Sequence, residues 1–169
     1  RIEAWLTTGF FLAYLLAFLA ALRGLVWEVT PMTRGGVALA GAGLVAQTVV
    51  LALRIADAGR LTFTSGYDFS LWFVWGIALI GFLVAMRGTK LALVASLPLA
   101  LLLCMYGYLY FPQKGHVPLP PALQNKLWLH IHVALAIFAY GALALAAGWG
   151  ALYLLKAASM RPAAAKSSA

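Results

Sequence analysis

The chain has 169 residues, of which 64% are hydrophobic and only 9% are charged, and its mean hydropathy is +0.95. A soluble domain of this length carries far more surface charge, so the composition excludes a soluble protein and indicates an integral membrane protein. The formal net charge of +8 does not indicate a nucleic-acid partner, because the basic residues stand in short segments between apolar runs, where they set membrane topology.

Five apolar runs predict five transmembrane helices, at residues 4–22, 35–53, 69–86, 91–110 and 129–155. Each run is close to the roughly 20 residues that a helix needs to cross the hydrocarbon core. The runs do not alternate with a period of two residues, as the strands of a membrane barrel do. Pro98 is expected to kink the fourth helix, because proline has no N–H to donate. The predicted fold is an all-α integral membrane protein with one transmembrane domain over residues 1–156.

The segments outside these runs carry further expectations. Residues 111–128, FPQKGHVPLPPALQNKLW, contain four prolines and predict an ordered, extended external loop between helices 4 and 5. Residues 157–169 are rich in small residues and are predicted to form a disordered tail. The sequence begins at Arg1 without a signal-peptide pattern, so we expect it to be a piece of a longer protein. Cys104 stands alone in an apolar run and is expected to be a small buried hydrophobe.

The distribution of basic residues predicts the orientation in the membrane. Five spans place the two chain ends on opposite sides. The side with the N-terminus carries Arg1, Arg54, Arg60, Lys114 and Lys126. The opposite side carries Arg23, Arg34, Arg87, Lys90, Lys156, Arg161 and Lys166. The positive-inside rule therefore predicts a cytoplasmic C-terminus. We expect a multi-pass protein of the plasma (inner) membrane.

Two histidines, His130 and His132, stand at the beginning of the fifth run. Residues two apart are separated by about 200° on a helix, so at most one of the two can reach a given ligand. The alternative is that both are interfacial residues held by hydrogen bonds. Further along the same run, Ala142, Ala146 and Gly150 have small-xxx-small spacing, which predicts contact with another helix.

Four polar and aromatic residues, Tyr67, Asp68, Trp72 and Trp75, stand where the third run begins. Aromatic residues at this depth are typical of the belt at a membrane interface. A carboxylate at the edge of the lipid usually faces protein or water and has a partner. We therefore expect a binding partner for the Asp68 side chain.

The stretch PPALQNKLWLHIHVALAIFAYGALALAAGWGALYLL resembles the segment before the tryptophan-rich signature of the CcsA (ResC) cytochrome c biogenesis proteins, which are related to CcmC and CcmF. The matching residues are Pro121, Ala122, Leu123, Trp128, Leu129, His132, Val133 and Tyr140. An earlier pattern of the family, Asn-x-Tyr-Glu-x-x-x-Phe-x-x-Trp, is similar to the stretch with Ser65, Tyr67, Asp68, Trp72 and Trp75. The resemblance covers about residues 60–155.

The resemblance implies a protein that handles haem at the outer membrane face, for covalent attachment to apocytochrome c. It implies that His132 is an axial ligand of the haem iron, a position that imidazole nitrogen commonly takes, and that His130 is interfacial. It implies that the haem site is lined by Tyr67, Asp68, Trp72 and Trp75. The cofactor would be haem b in transit, and the partners would be a membrane protein similar to ResB (CcsB) and the apocytochrome. This chain alone would not be catalytic, because thioether formation belongs to haem vinyl groups and cysteine thiols.

The sequence also departs from the family pattern. The tryptophan-rich loop and the second external histidine do not occur in these 169 residues, and Asp68 and Ser65 replace a glutamate and an asparagine. A non-catalytic transmembrane scaffold subunit of a larger membrane complex is therefore the alternative function. A transporter is disfavoured, because the sequence has no inverted repeat and no pair of broken helices.

Overall fold

The computed structural model describes residues 2–63, 65–89, 91–111 and 126–166. The regular structure in these ranges is entirely helical. The helices are α1 (Ile2–Val26), α2 (Thr30–Ala58), α3 (Gly66–Met86), α4 (Leu91–Tyr110) and α5 (Lys126–Lys166). All five are long and apolar enough to span a membrane, which confirms the predicted all-α fold. The predicted proline-rich loop lies outside the described residues.

Helix ends explain why α2 and α3 are longer than the apolar runs. Pro31 stands in the first turn of α2, where its missing N–H costs no hydrogen bond. Gly59 ends α2 with a φ of +63°, a left-handed conformation that glycine adopts without strain. Before α3, the Ser65 hydroxyl accepts a hydrogen bond of 3.1 Å from the Asp68 N–H and caps the helix. Polar residues next to the runs therefore belong to the helices.

The fifth helix is much longer than its apolar run. Its 41 residues correspond to about 62 Å, twice the thickness of the hydrocarbon core of about 30 Å. The helix continues through residues 157–166, which the sequence analysis assigned to the tail. Five of these ten residues are alanine, the residue with the highest helix propensity. Residues 167–169 lie outside the described part of the chain.

The helices pack as two groups around α4, which contacts each of the other four. Helices α1 and α2 form a close pair, because small residues let their backbones approach. A Cβ at Gly36, for example, would lie 3.0 Å from the Ala17 carbonyl oxygen. Helix α5 packs on α3 and α4. Helix α4 continues through Pro98 from Leu91 to Tyr110.

Glycines form the contact surface of α5. A Cβ at Gly141 would lie 2.9 Å from the carbonyl oxygen of Gly76 on α3. Gly148 faces the backbone of Ala95 on α4 with even less space. Leu145, between these two glycines, is buried. The close approach of α5 to its neighbours therefore depends on a glycine pair seven residues apart.

The predicted packing stripe of Ala142, Ala146 and Gly150 is wrong for contacts within this chain. All three residues are exposed, and no atom lies within 4 Å of a Cβ placed at Gly150. Small residues occur on several faces of α5, and the spacing rule does not say which face meets a neighbour. The face of α5 that meets α3 is the one with Gly141, because Gly141 lies close to the backbone of Gly76. Gly150 has no such neighbour.

Candidate functional site

The predicted site residues lie at one end of the bundle, which we call the histidine end. It contains the N-terminal ends of α1, α3 and α5 and the C-terminal ends of α2 and α4, since successive helices run in opposite directions. The opposite end, with the α1–α2 and α3–α4 turns, is called the basic end below.

A buried ion cluster lies inside the histidine end. The Arg54 side chain is 3% exposed, and that of Asp68 is fully buried. The Nε of Arg54 donates a hydrogen bond of 2.8 Å to Oδ1 of Asp68. Its NH1 group donates one of 2.5 Å to Oε1 of Glu3, which is 39% exposed. The Ser65 hydroxyl donates a bond of 2.7 Å to the other Asp68 oxygen. The expectation that Asp68 has a partner is confirmed, and both of its oxygens are occupied.

Tyr67 covers the same cluster. Its ring centre lies 5.0 Å from the guanidinium carbon of Arg54, which is a cation–π distance. The cluster ties α1, α2 and α3 together where water is scarce, and a buried charge needs such pairing. Sequence reasoning missed this cluster because it counted Arg54 as a boundary charge and gave Glu3 no role. The sequence has only four acidic residues. Their scarcity was the available signal that an acid beside an apolar run could pair with a base.

A second polar link lies deeper between the same three helices. The Tyr14 hydroxyl donates a hydrogen bond of 2.6 Å to Oε1 of Gln47. The Nε2 of Gln47 donates one of 2.9 Å to the Leu71 carbonyl oxygen. Tyr14 and Gln47 are both fully buried. The hydroxyl of Tyr14 and the amide of Gln47 both have hydrogen-bond partners within the protein, as expected of a structural contact.

The two tryptophans of α3 make hydrogen bonds within the protein. The indole N–H of Trp72 donates to the Thr62 carbonyl oxygen, and that of Trp75 to the Thr48 hydroxyl, both at 3.0 Å. The Trp72 ring lies 5.3 Å from that of Phe63. These residues therefore fix α3 to its surroundings, a role beyond that of a simple interfacial belt.

The two histidines point in different directions, as helical geometry predicts. The His130 ring is half-buried and lies 6.3 Å from the Phe63 ring. Phe63 belongs to an apolar cluster that includes Val133. His132 is exposed. On the same face of α5 lie Trp128, four residues before His132, and Leu135, three residues after it; both are exposed.

The five predicted site residues thus fall into separate groups. Tyr67 and Asp68 are buried against Arg54, and Trp72 faces the Phe63 cluster that contacts His130. His132 stands on an exposed surface of α5, away from the Arg54 cluster. The lining of one haem site by His132, Tyr67 and Asp68 stays a prediction.

The surface around His132 combines one exposed imidazole with exposed apolar side chains. A porphyrin is a flat, mostly apolar ring, and exposed Trp128 and Leu135 flank the imidazole on one helix face. An axial ligand needs only one nitrogen on each side of the iron. In the described ranges, no group of three or more His, Cys, Asp or Glu side chains could hold a bare metal ion.

No family model matches this sequence, and no curated protein or solved structure matches it. The resemblance to the CcsA family therefore depends on the matching residues quoted above.

Proposed function

We propose that this chain is a haem-handling component of a cytochrome c assembly system of the CcsA type. In this proposal, His132 would hold haem b at the outer membrane face, beside a ResB-like membrane partner. The observation that carries the proposal is the exposed imidazole of His132 between Trp128 and Leu135 at the histidine end of α5. Another segment or another chain would supply the second ligand.

The chain's own residues bind and orient the cofactor. The His132 imidazole would bind the haem iron, and Trp128 and Leu135 would shield part of the haem from water. When bound, haem supplies the vinyl groups to which apocytochrome cysteine thiols add. Presentation at the outer face lets those thiols meet the vinyl groups.

The buried residues of α3 act on this site through packing. The Arg54–Asp68 pair fixes the N-terminal end of α3, and Trp72 on that helix packs on Phe63. Phe63 in turn contacts His130 and Val133 of α5. These contacts set the rotation of α5 and thereby the direction of His132. Tyr67, Asp68, Trp72 and Trp75 are positioning residues in this proposal.

The ion cluster also supports the proposed orientation. Arg54 is buried against Asp68 and Glu3, so it does not behave as a loop charge. Four basic residues then remain on the side of the histidine end, against seven on the other side. The larger difference favours a cytoplasmic C-terminus in the plasma membrane.

A scaffold subunit is the second candidate function, and one observation favours it. The face of α5 with Ala142, Ala146 and Gly150 is exposed in this chain and is apolar and small. Such a face suits close contact with a helix of another subunit.

The absorbance spectrum of the protein purified in mild detergent from haem-producing cells distinguishes the two candidates. The haem proposal predicts a Soret band with roughly one haem per chain. A protein without a Soret band, isolated in a fixed ratio with the subunits of a larger membrane complex, would instead establish the scaffold function.

A further inference from the structure

A large groove separates α2 and α3 at the basic end, far from the histidine end. Its volume is about 740 Å³. The floor is apolar and includes Val37, Gly41, Phe82 and Ala85. The two helices are joined by the Arg54–Asp68 pair at the other end, whereas here they leave space between them.

The rim of the groove is polar and positively charged. Arg34 lines it and is exposed, and Thr30 at the start of α2 lines it as well. Within the described residues, no side chain caps the N-terminus of α2, and the helix dipole adds partial positive charge at this end.

The surroundings of the groove are also basic. Arg23 and Arg87 are exposed at the same end. Of the four acidic residues in the sequence, Glu28 alone stands at this end, in the α1–α2 turn, and it does not line the groove. The charge balance therefore favours an anionic occupant with an apolar part.

We infer that this groove binds an anionic phospholipid from the adjacent leaflet. The phosphate lies against Arg34 and Thr30, and an acyl chain follows the apolar floor between α2 and Phe82. The charge complementarity decides between lipid classes, because a zwitterionic lipid offers no net negative charge to Arg34. The inference does not depend on the proposed haem function.

Native mass spectrometry of the detergent-solubilised chain tests the inference. The probes are phosphatidylglycerol and phosphatidylcholine with identical acyl chains. The expected result is a saturable adduct of one phosphatidylglycerol molecule and much weaker binding of phosphatidylcholine. Arg34→Gln should weaken phosphatidylglycerol binding about fivefold, since one basic residue near an anionic headgroup contributes about 1 kcal/mol.

Two further variants keep the test specific. Arg23→Gln removes a charge at the same end, but Arg23 stacks on Trp27 at 5.5 Å and does not line the groove; binding should stay within about twofold of the parent. Ala38→Phe places a ring inside the groove, where Ala38 is exposed, and should weaken binding without a change of charge.

Three results would overturn the inference. The first is equal binding of the two lipids, and the second is an equal effect of Arg34→Gln and Arg23→Gln. The third is complete displacement of the lipid by millimolar glycerol 3-phosphate, which would assign the site to a free phosphate compound. If Arg34→Gln does not fold, Ala38→Phe and the lipid comparison decide the question.

Discussion

At the residue scale, the chain's most unusual feature is a buried arginine in an apolar helix. Arg54 is held by Asp68 and Glu3 and covered by Tyr67. Removing one member of a buried ion pair leaves an uncompensated charge, which costs more than the pair contributes. The stability of the histidine end should therefore respond sharply to single substitutions in this cluster.

Asp68→Asn is expected to lower the free energy of unfolding in detergent by about 3 kcal/mol, because Arg54 loses its fully buried counter-ion. The measurement is reversible unfolding by a denaturing detergent, followed by circular dichroism. Glu28→Gln, which changes an exposed acid at the basic end, is the control and should cost less than about 0.5 kcal/mol. Equal losses in the two variants would show that the pair has no structural role.

The double variant Arg54→Met with Asp68→Leu refines this test. Replacing both charges by apolar side chains of similar size often restores stability, because no desolvated charge remains. We expect the double variant to recover most of the loss seen in Asp68→Asn. A double variant less stable than the single one would mean that Tyr67 and Glu3 depend on the guanidinium itself.

At the element scale, α5 has glycines on two faces. One face packs against the other helices, and the other face is exposed. Gly148 faces the Ala95 backbone, whereas no atom lies near Gly150. The two positions are therefore a matched pair of glycines on one helix, one at an internal contact and the other on the outer surface.

Gly148→Leu is expected to separate α5 from α4 and to lower the yield of monodisperse protein severalfold, because backbone cannot yield to a new side chain. Gly150→Leu should leave the isolated chain unchanged. Size-exclusion chromatography of both variants, prepared in parallel, measures the difference. Normal behaviour of Gly148→Leu would contradict the α4–α5 contact. Loss of a copurifying subunit on Gly150→Leu alone would support the scaffold function.

The element scale also shows what the sequence could predict. The five spans were predictable, because each is an apolar run of membrane length, and the bounds of α4 agree with the prediction. The ends of α2 and the extension of α5 were missed, because charged and alanine-rich residues can continue a helix beyond the lipid. The Arg54 partner of Asp68 was missed because it comes from another helix, and spacing along one helix does not report such contacts.

At the scale of the whole molecule, the two ends of the bundle differ in charge. The histidine end holds three of the four acids, and the basic end has a cation-rimmed groove. This asymmetry supports one orientation in the membrane, in which His132 is external and the C-terminal end of α5 is cytoplasmic.

Cysteine labelling in intact cells checks that orientation. In a Cys104→Ala background, Leu127→Cys and Ser159→Cys place single thiols at exposed positions near opposite ends of α5. An impermeant maleimide should label position 127 before lysis and position 159 only after it. The reverse pattern would place the histidine end in the cytoplasm and exclude haem presentation to an external apocytochrome.

The central claim, that His132 is a haem ligand, is tested most directly by haem titration of three purified proteins: the parent, His132→Ala and His130→Ala. The claim predicts a Soret shift in the parent. His132→Ala should lose at least tenfold in haem affinity, and added imidazole should partly restore it. His130→Ala should change haem affinity little, because the His130 ring packs on Phe63. Equal titrations of the two variants, or no Soret shift in any of the three proteins, would contradict it.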